Sequence, residues 1–266
     1  MIPKTIHQIW FQGEKQIPEH LRVFHNGWHT MNPSFEIILW DEPAIKRLLT
    51  NCDNSVRSLY DSYPYMIQKI DLAKYIILYS YGGIYIDMDM KPLRPIEDTF
   101  LNYDIIISKI PFNIIYNILF SFIGHDINKD IINNGVIFSV ARHPGLLNVI
   151  DLCLKNRHTI LGALNKTLYI YHTTGPVCFT NALCDLDTGS ARVKILDNTY
   201  FESCDILTVH MGVCKPPAHA IGLHLYESSW VSSSDKFILH MYFFVATYHI
   251  LVKFLLVAFG LLYFIL

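Results

Sequence analysis

The sequence predicts an α/β fold: a layered sheet with helices on both faces, followed by an apolar C-terminal helix. Three observations carry this. Short runs rich in Ile, Val and Tyr recur along the first 235 residues, separated by segments with helical spacing of apolar residues. Paired glycines, Gly82 and Gly83, stand between the clearest helical pattern and the run "IYIDMD" at 84–89. The last thirty residues, Phe237 to Leu266, contain one formal charge, Lys253.

The elements follow in order. "TIHQIWF" at 5–11 alternates and predicts a strand. "IPEHLRVFHNGWHTMNP" predicts a helix that ends before Pro33, and "FEIILWD" at 35–41 a second strand. Residues 42–50 and 55–61 suit short helices, and 66–83 a longer one that is apolar on several faces. Strands are predicted at 84–89, 103–108 and 135–140, a helix at 144–156, and later strands at 193–196 and 205–210. The one compositional break, "SSSDK" at 232–236, divides a domain at 1–235 from the apolar segment at 236–266.

Composition narrows the function. The chain has 266 residues, 52% of them hydrophobic, 17% charged and 14% aromatic, which excludes a disordered chain. A net charge of −2 and the lack of any Lys/Arg-rich run exclude nucleic acid as a partner. The six cysteines, at 52, 153, 178, 184, 204 and 214, form no CxxC pair, which argues against a zinc knuckle and leaves their pairing open. No signal peptide is visible at the N-terminus. About 20 apolar residues span a bilayer, so 237–266 is long enough to do so. It can cross with Lys253 snorkelling, lie in the interface, or be buried as a core helix. Membrane association is the favoured reading.

The chemistry lies in "YGGIYIDMDMKP" at 81–92. Residues two apart on a strand share a face, so Tyr85, Asp87 and Asp89 project together. Carboxylates brought close without a cation repel, and burying them unpaired is costly. A divalent ion, Mg2+ or Mn2+, resolves this, and such ions take their remaining ligands from water and substrate phosphates. The pair therefore points to a phosphorylated substrate. Strand-end aspartates hydrogen-bonded to a turn before Pro92 would be the structural alternative. A haloacid-dehalogenase-type phosphatase also carries DxD after a strand, but Lys91 stands where its usual Thr or Val would be. On the preceding helix, Asp71 and Lys74 lie three apart and face one way.

"DLAKYIILYSYGGIYIDMDMKPLRP" resembles the motif of the DxD-type sugar transferases of glycosyltransferase family 32, with Lys74 where Arg is usual. That family includes yeast-type mannosyltransferases acting on glycans and on inositol phosphoceramide, and the glucosylating clostridial toxins share its core. "IPKTIHQIW", "NNGVIFSVARHPGL", "TTGPVCFTNAL" and "HLYESSW" resemble further family segments, in family order. The resemblance implies a GT-A fold, with a Rossmann-like sheet, and retaining transfer of a hexose from a nucleotide-sugar, GDP-mannose or a UDP-hexose. The acceptor would be a hydroxyl of a glycan or sphingolipid-like molecule. It also implies roles: Asp89 directly on the metal, Asp87 on metal or ribose, His224 as a further metal ligand, and Asp71 and Lys74 on the donor sugar. Tyr85 would line the donor site. His7, Ile9 and Trp10 would line the base and ribose pocket, Asn134 and Gly135 would lie near acceptor and sugar, and Ser229 and Trp230 would touch the diphosphate. Localisation would be an endomembrane of Golgi, ER or host type, with the facing side open. One sequon, Asn165-Lys166-Thr167, bears on it. The alternative function is a non-catalytic, membrane-anchored sugar- or nucleotide-binding protein on the same fold.

Overall fold

The computed structural model describes residues 1–111, 114–159, 165–183, 186 and 192–227. The segment 236–266 and its predicted helix lie outside the described residues, as do Ser229 and Trp230. Among the described residues no helix is long and apolar enough to cross a membrane.

The strands are β1 (Thr5–Ile9), β2 (Glu36–Trp40), β3 (Gly83–Ile86), β4 (Met90–Pro92), β5 (Ile105–Lys109), β6 (Ile132–Ser139), β7 (Val193–Leu196) and β8 (Gly222–His224). Six of them form a mixed sheet in the order β2-β1-β3-β6-β5-β7. Pairing is parallel from β2 through β1 to β3 and between β5 and β7, and antiparallel on both sides of β6. The strand β6 therefore runs against the other five. The C-terminal ends of β1, β3 and β5 and the start of β6 meet at one edge, where ligands of open α/β sheets bind. The remaining two strands, β4 and β8, pair antiparallel as a ribbon beside that edge, with Met90 opposite His224.

The helices are α1 (Glu19–Met31), α2 (Glu42–Leu49), α3 (Asn54–Ser62), α4 (Met66–Tyr81), α5 (Ile114–Ser121), α6 (Pro144–Asn156), α7 (Lys166–Thr173), α8 (Pro176–Ala182) and α9 (Ile206–His210). One sheet face carries α2, α3, α4, α6 and α8, whose Ile45, Leu59, Ile77, Val149 and Phe179 pack with Tyr85, Ile105 and Ile137 of the strands. The other face packs Trp28 of α1 with Ile6, Ile84, Met90, Phe138 and Phe201. Trp28 is fully buried, and its indole N–H donates to the Met90 carbonyl at 2.8 Å, so α1 is fastened to the ribbon. Most of α4 is buried, including Asp71, Leu72, Lys74, Tyr75 and Ile77, which explains its apolar character on several faces.

The chain reverses from α4 into β3 at Gly82 and Gly83, with φ of 66° and 99°. A Cβ on Gly83 would lie 2.7 Å from the Thr5 carbonyl oxygen. Left-handed backbone and close approach both demand glycine here. His7 seals the same junction. Its Nδ1 accepts from the Trp40 indole N–H at 3.1 Å, so in the neutral ring Nε2 carries the proton, donated to the Gly82 carbonyl at 3.0 Å.

Two expectations need correction. The segment 205–210 is the helix α9 and not a strand. Asp205 accepts from the Thr208 N–H at 3.0 Å, and this local cap outweighs the β-branched composition of "DILTVH". The strand predicted at 84–89 ends at Ile86, and a turn closed by the Met90 N–H on the Asp87 carbonyl at 3.1 Å follows it. Cys204 and Cys214 form a disulfide, while Cys52, Cys153 and Cys178 are free thiols among the described residues. The sequon serves as a helix start: Asn165 caps α7 through the Leu168 N–H, and Thr167 is buried.

Burial lowers the His7 pKa to about 4, against the raising effect of its hydrogen bond to Gly82. A histidine held neutral by burial supports folding above the unfolded-state pKa near 6.5, and that support is lost as pH falls from 6.5 towards 4. The expected contribution is about 1.4 kcal/mol per pH unit across that window. Chemical denaturation followed by tryptophan fluorescence should show a shallower loss of stability between pH 6.5 and 4.5 for His7→Gln than for the wild-type chain. Gly83→Ala is expected to cost about 1–3 kcal/mol by the same measurement.

Candidate active site

Three side chains meet at the end of β3. Asp87, Asp89 and His224 each present a ligand atom, and these atoms lie within 4.8 Å of one another. Asp87 leaves the sheet with its N–H still held by the Gly135 carbonyl at 2.8 Å, so β6 fixes its backbone. Asp89, two residues on in the turn, has its carbonyl held by the Leu225 N–H and its Oδ2 by the Glu227 N–H at 3.0 Å. The two carboxylates converge because of this turn, not because of strand alternation. His224 arrives on β8, and its Nε2 lies 3.3 Å from Asp89 Oδ2.

A buried polar network stands behind Asp87. The Lys74 ammonium contacts Asp71 Oδ1 at 2.9 Å, the Asn134 carbonyl at 3.2 Å and Asp87 Oδ1 at 3.5 Å. These are three acceptors for three N–H donors. Lys74 also lies 4.8 Å from the centre of the Tyr85 ring, whose hydroxyl donates to Asp87 Oδ1 at 2.8 Å. Asp71 receives the Asn134 amide at 3.1 Å and the Thr174 hydroxyl at 3.0 Å. Tyr75 closes the set, accepting from Asn134 at 2.9 Å and donating to the Thr174 carbonyl at 2.7 Å. Gly135 permits the close packing, since a Cβ there would lie 2.7 Å from Asp87 Oδ2.

The electrostatics divide the pair of aspartates. Burial raises the Asp87 pKa, and the nearby Asp89 charge adds to this, against the pull of Lys74. Burial acts the same way on Asp89, but His224 and the Glu227 N–H outweigh it and lower its pKa. Burial would lower the Lys74 pKa, yet Asp87 and Asp71 together raise it, so the ammonium stays charged. Burial would also lower that of His224, and Glu202 and Asp89 reverse the effect and raise it well above the usual range. Without an added cation, His224 and Lys74 supply the positive charge between these acids.

Two carboxylates and an imidazole are a fitting donor set for a divalent ion, and the nitrogen ligand suits Mn2+ better than Mg2+. Both Asp87 and Asp89 are partly open to solvent, with side chains 28% and 17% exposed, so an ion bound there could be shared with a ligand.

The structure brings Asp71, Lys74, Tyr85, Asp87, Asn134 and Gly135 into one network and joins Asp89 and His224 to it through Asp87. His7 and Ile9 are instead buried, His7 against Trp40 and Gly82 and Ile9 in the core beneath α2 and α4. Trp10 is partly exposed and packs with Ile17, Leu21 and Met88, the residue between the two aspartates. Sequence reasoning missed Tyr75, Asn133, Glu202 and Tyr226, and reached Thr174 only as part of a segment that resembles the family. Asn133 and Glu202 carry no spacing signal, because strand pairing across distant segments brings them here. Asn-Gly is a common turn pair, yet Asn134 and Gly135 both lie within β6.

Residues 18–108 match the family model described as a glycosyltransferase sugar-binding region containing a DXD motif. A glycosyltransferase of Acanthamoeba polyphaga mimivirus is 31% identical over 211 residues, covering 77% of this chain and 75% of the relative. Inositol phosphoceramide mannosyltransferase 3 of Schizosaccharomyces pombe is 32% identical over 149 residues, covering 56% of this chain and 41% of that enzyme. Among solved structures, the PaToxG glycosyltransferase superposes with a TM-score of 0.50 at 19% identity, covering 71% of each chain, which supports a shared GT-A-like fold. The chain belongs to the glycosyltransferase family whose sugar-binding region contains the DXD motif, carried here by Asp87 and Asp89.

Proposed function

We propose that the protein is a metal-dependent, retaining hexosyltransferase that moves a hexose from a nucleotide-sugar to a hydroxyl of a glycan or glycolipid. The observation that carries this is the convergence of Asp87, Asp89 and His224 at an edge of the sheet where ligands of this fold class bind. Bound there, Mn2+ or Mg2+ would neutralise the diphosphate leaving group. The three side chains would hold the ion. Lys74, behind Asp87, keeps that carboxylate oriented and offsets its charge. Asp71 and Lys74 are assigned to the donor-sugar side of the site and Asn134 and Gly135 to the sugar and acceptor side. Trp10, close to Met88, is assigned to the base, with Ser229 and Trp230 on the diphosphate. His7 and Ile9 support that pocket from within the core.

Mannose is the favoured hexose, from the naming of the fission-yeast relative, and GDP-mannose is then the donor. A lipid-borne acceptor has its own support. Glu227 touches Asp89, and only nine residues, 228–236, separate it from the apolar segment at 237–266. A fully extended chain of that length spans about 30 Å at most. If the apolar segment sits in a bilayer, the membrane surface is within that reach of Asp89. The Cys204–Cys214 disulfide favours the oxidising side of an endomembrane for the domain.

Hydrolysis of a panel of nucleotide-sugars by the purified chain with Mn2+ tests the reading, with GDP-mannose expected to turn over. Absence of both turnover and binding across the whole panel would overturn it. Asp89→Ala should abolish metal-dependent turnover while leaving the thermal unfolding midpoint close to wild type. Lys74→Met should lose about 3–5 kcal/mol of stability in denaturant titration, because it leaves Asp71 and Asp87 as uncompensated acids.

A further inference from the structure

Glu202 is a buried acid that the proposed transfer leaves without a task. It is 1% exposed and follows the short turn after β7. Among the described residues its ion-pair partner is His224. It accepts hydrogen bonds from three side chains: His224 Nδ1 at 2.7 Å, the Tyr226 hydroxyl, and the Asn133 amide.

In the ion-free imidazolium both ring nitrogens donate, Nδ1 to Glu202 at 2.7 Å and Nε2 towards Asp89 at 3.3 Å. An ion that takes the place of the Nε2 proton leaves Nδ1–H on Glu202. Resting on the metal-site reading above, we propose that Glu202 is a positioning residue for that site. Its carboxylate holds His224 in the Nδ1–H tautomer and in one ring orientation, so that Nε2 offers its lone pair to the divalent ion shared with Asp87 and Asp89. Metal-bound histidines are commonly oriented by such a carboxylate.

The surroundings of Glu202 are built for this geometry. The Tyr226 ring stacks on the imidazole, with centroids 4.2 Å apart and planes at 29°. Tyr226 does so from a left-handed backbone, φ 52°, which a tyrosine rarely adopts. Strain of this kind persists only where surrounding contacts impose it. On the other side, Asn133 is oriented by the Gly135 N–H, which donates to its Oδ1 at 2.5 Å, leaving Nδ2 to face Glu202. Gly135 is the residue that packs on Asp87. Both ends of the metal cluster are thus referred to the same short piece of β6.

The test is calorimetric titration of the full chain in detergent micelles with Mn2+ alone. Glu202→Gln is expected to weaken Mn2+ binding by about 10–100-fold. His224→Ala should weaken it as well, and the double variant should bind no more weakly than His224→Ala, because Glu202 acts through the imidazole. Unchanged affinity in Glu202→Gln overturns the proposal, as does a further loss of the same size when the change is added to His224→Ala. With Asp89→Ala also unable to bind, either result leaves the metal site standing and removes only the role of Glu202. Failure of the wild-type chain to bind Mn2+ removes the metal reading and the proposal together. If Glu202→Gln does not fold, nitrogen NMR of histidine-labelled wild-type chain with Mg2+ decides, with His224→Ala assigning the signal. The Nδ1–H tautomer is expected, and an Nε2–H or doubly protonated ring in the ion-loaded protein overturns the assignment.

Discussion

A buried ammonium organises the functional edge of this molecule. Lys74 is 2% exposed and reaches three acceptors, one each from α4, the DXD turn and β6. Removing a charge from water costs several kcal/mol, and only close, well-directed partners offset that cost. The three contacts therefore constrain each other. The helix α4 must lie so that Asp71 meets Lys74, β6 must present the Asn134 carbonyl, and the chain leaving β3 must turn Asp87 back towards the helix. The glycines at 82 and 83 make this return possible, and Gly135 leaves room for the Asp87 carboxylate.

From there the polar groups separate into two sets on opposite faces of β6. Adjacent residues on a strand point to opposite sides. Asn134 joins Asp71 and Tyr75 on the α4 side, while Asn133 joins Glu202, and through it His224 and Tyr226, on the side of the β4–β8 ribbon. The DXD turn lies between these sets, with Asp87 leaning on the lysine and Asp89 on the histidine. Opposite pKa shifts of the two aspartates follow from this division. An ion placed between them would meet one carboxylate already supported by an ammonium and one supported by an imidazole.

Much of the fold was legible because it is local. Gly82–Gly83 after an apolar helix, the alternation in "TIHQI" and "EIILW", and Pro144 at the start of α6 are each governed by contacts within a few residues. The error at 205–210 was also local: the Asp205 cap competes with β-branched residues, and composition alone did not weigh it. The family motif brought Asp71, Asp87, Asp89 and His224 into view because type and spacing are written along the chain. Asn133 and Glu202 stayed hidden, since neither an asparagine beside another nor a lone glutamate carries a period.

The sequence by itself determined which segments are helix and strand over most of the described chain, the glycine reversal, and the acidic pair as the family's DXD motif. These depend on backbone preference and on residue spacing, which a linear chain displays. Only the tertiary structure decided that a turn, not strand pleating, joins Asp87 to Asp89, that Lys74 bridges both acids of its neighbourhood, and that Glu202 stands behind His224. Those outcomes depend on the burial of charge, and a charge can be kept from water only where segments distant in sequence close around it.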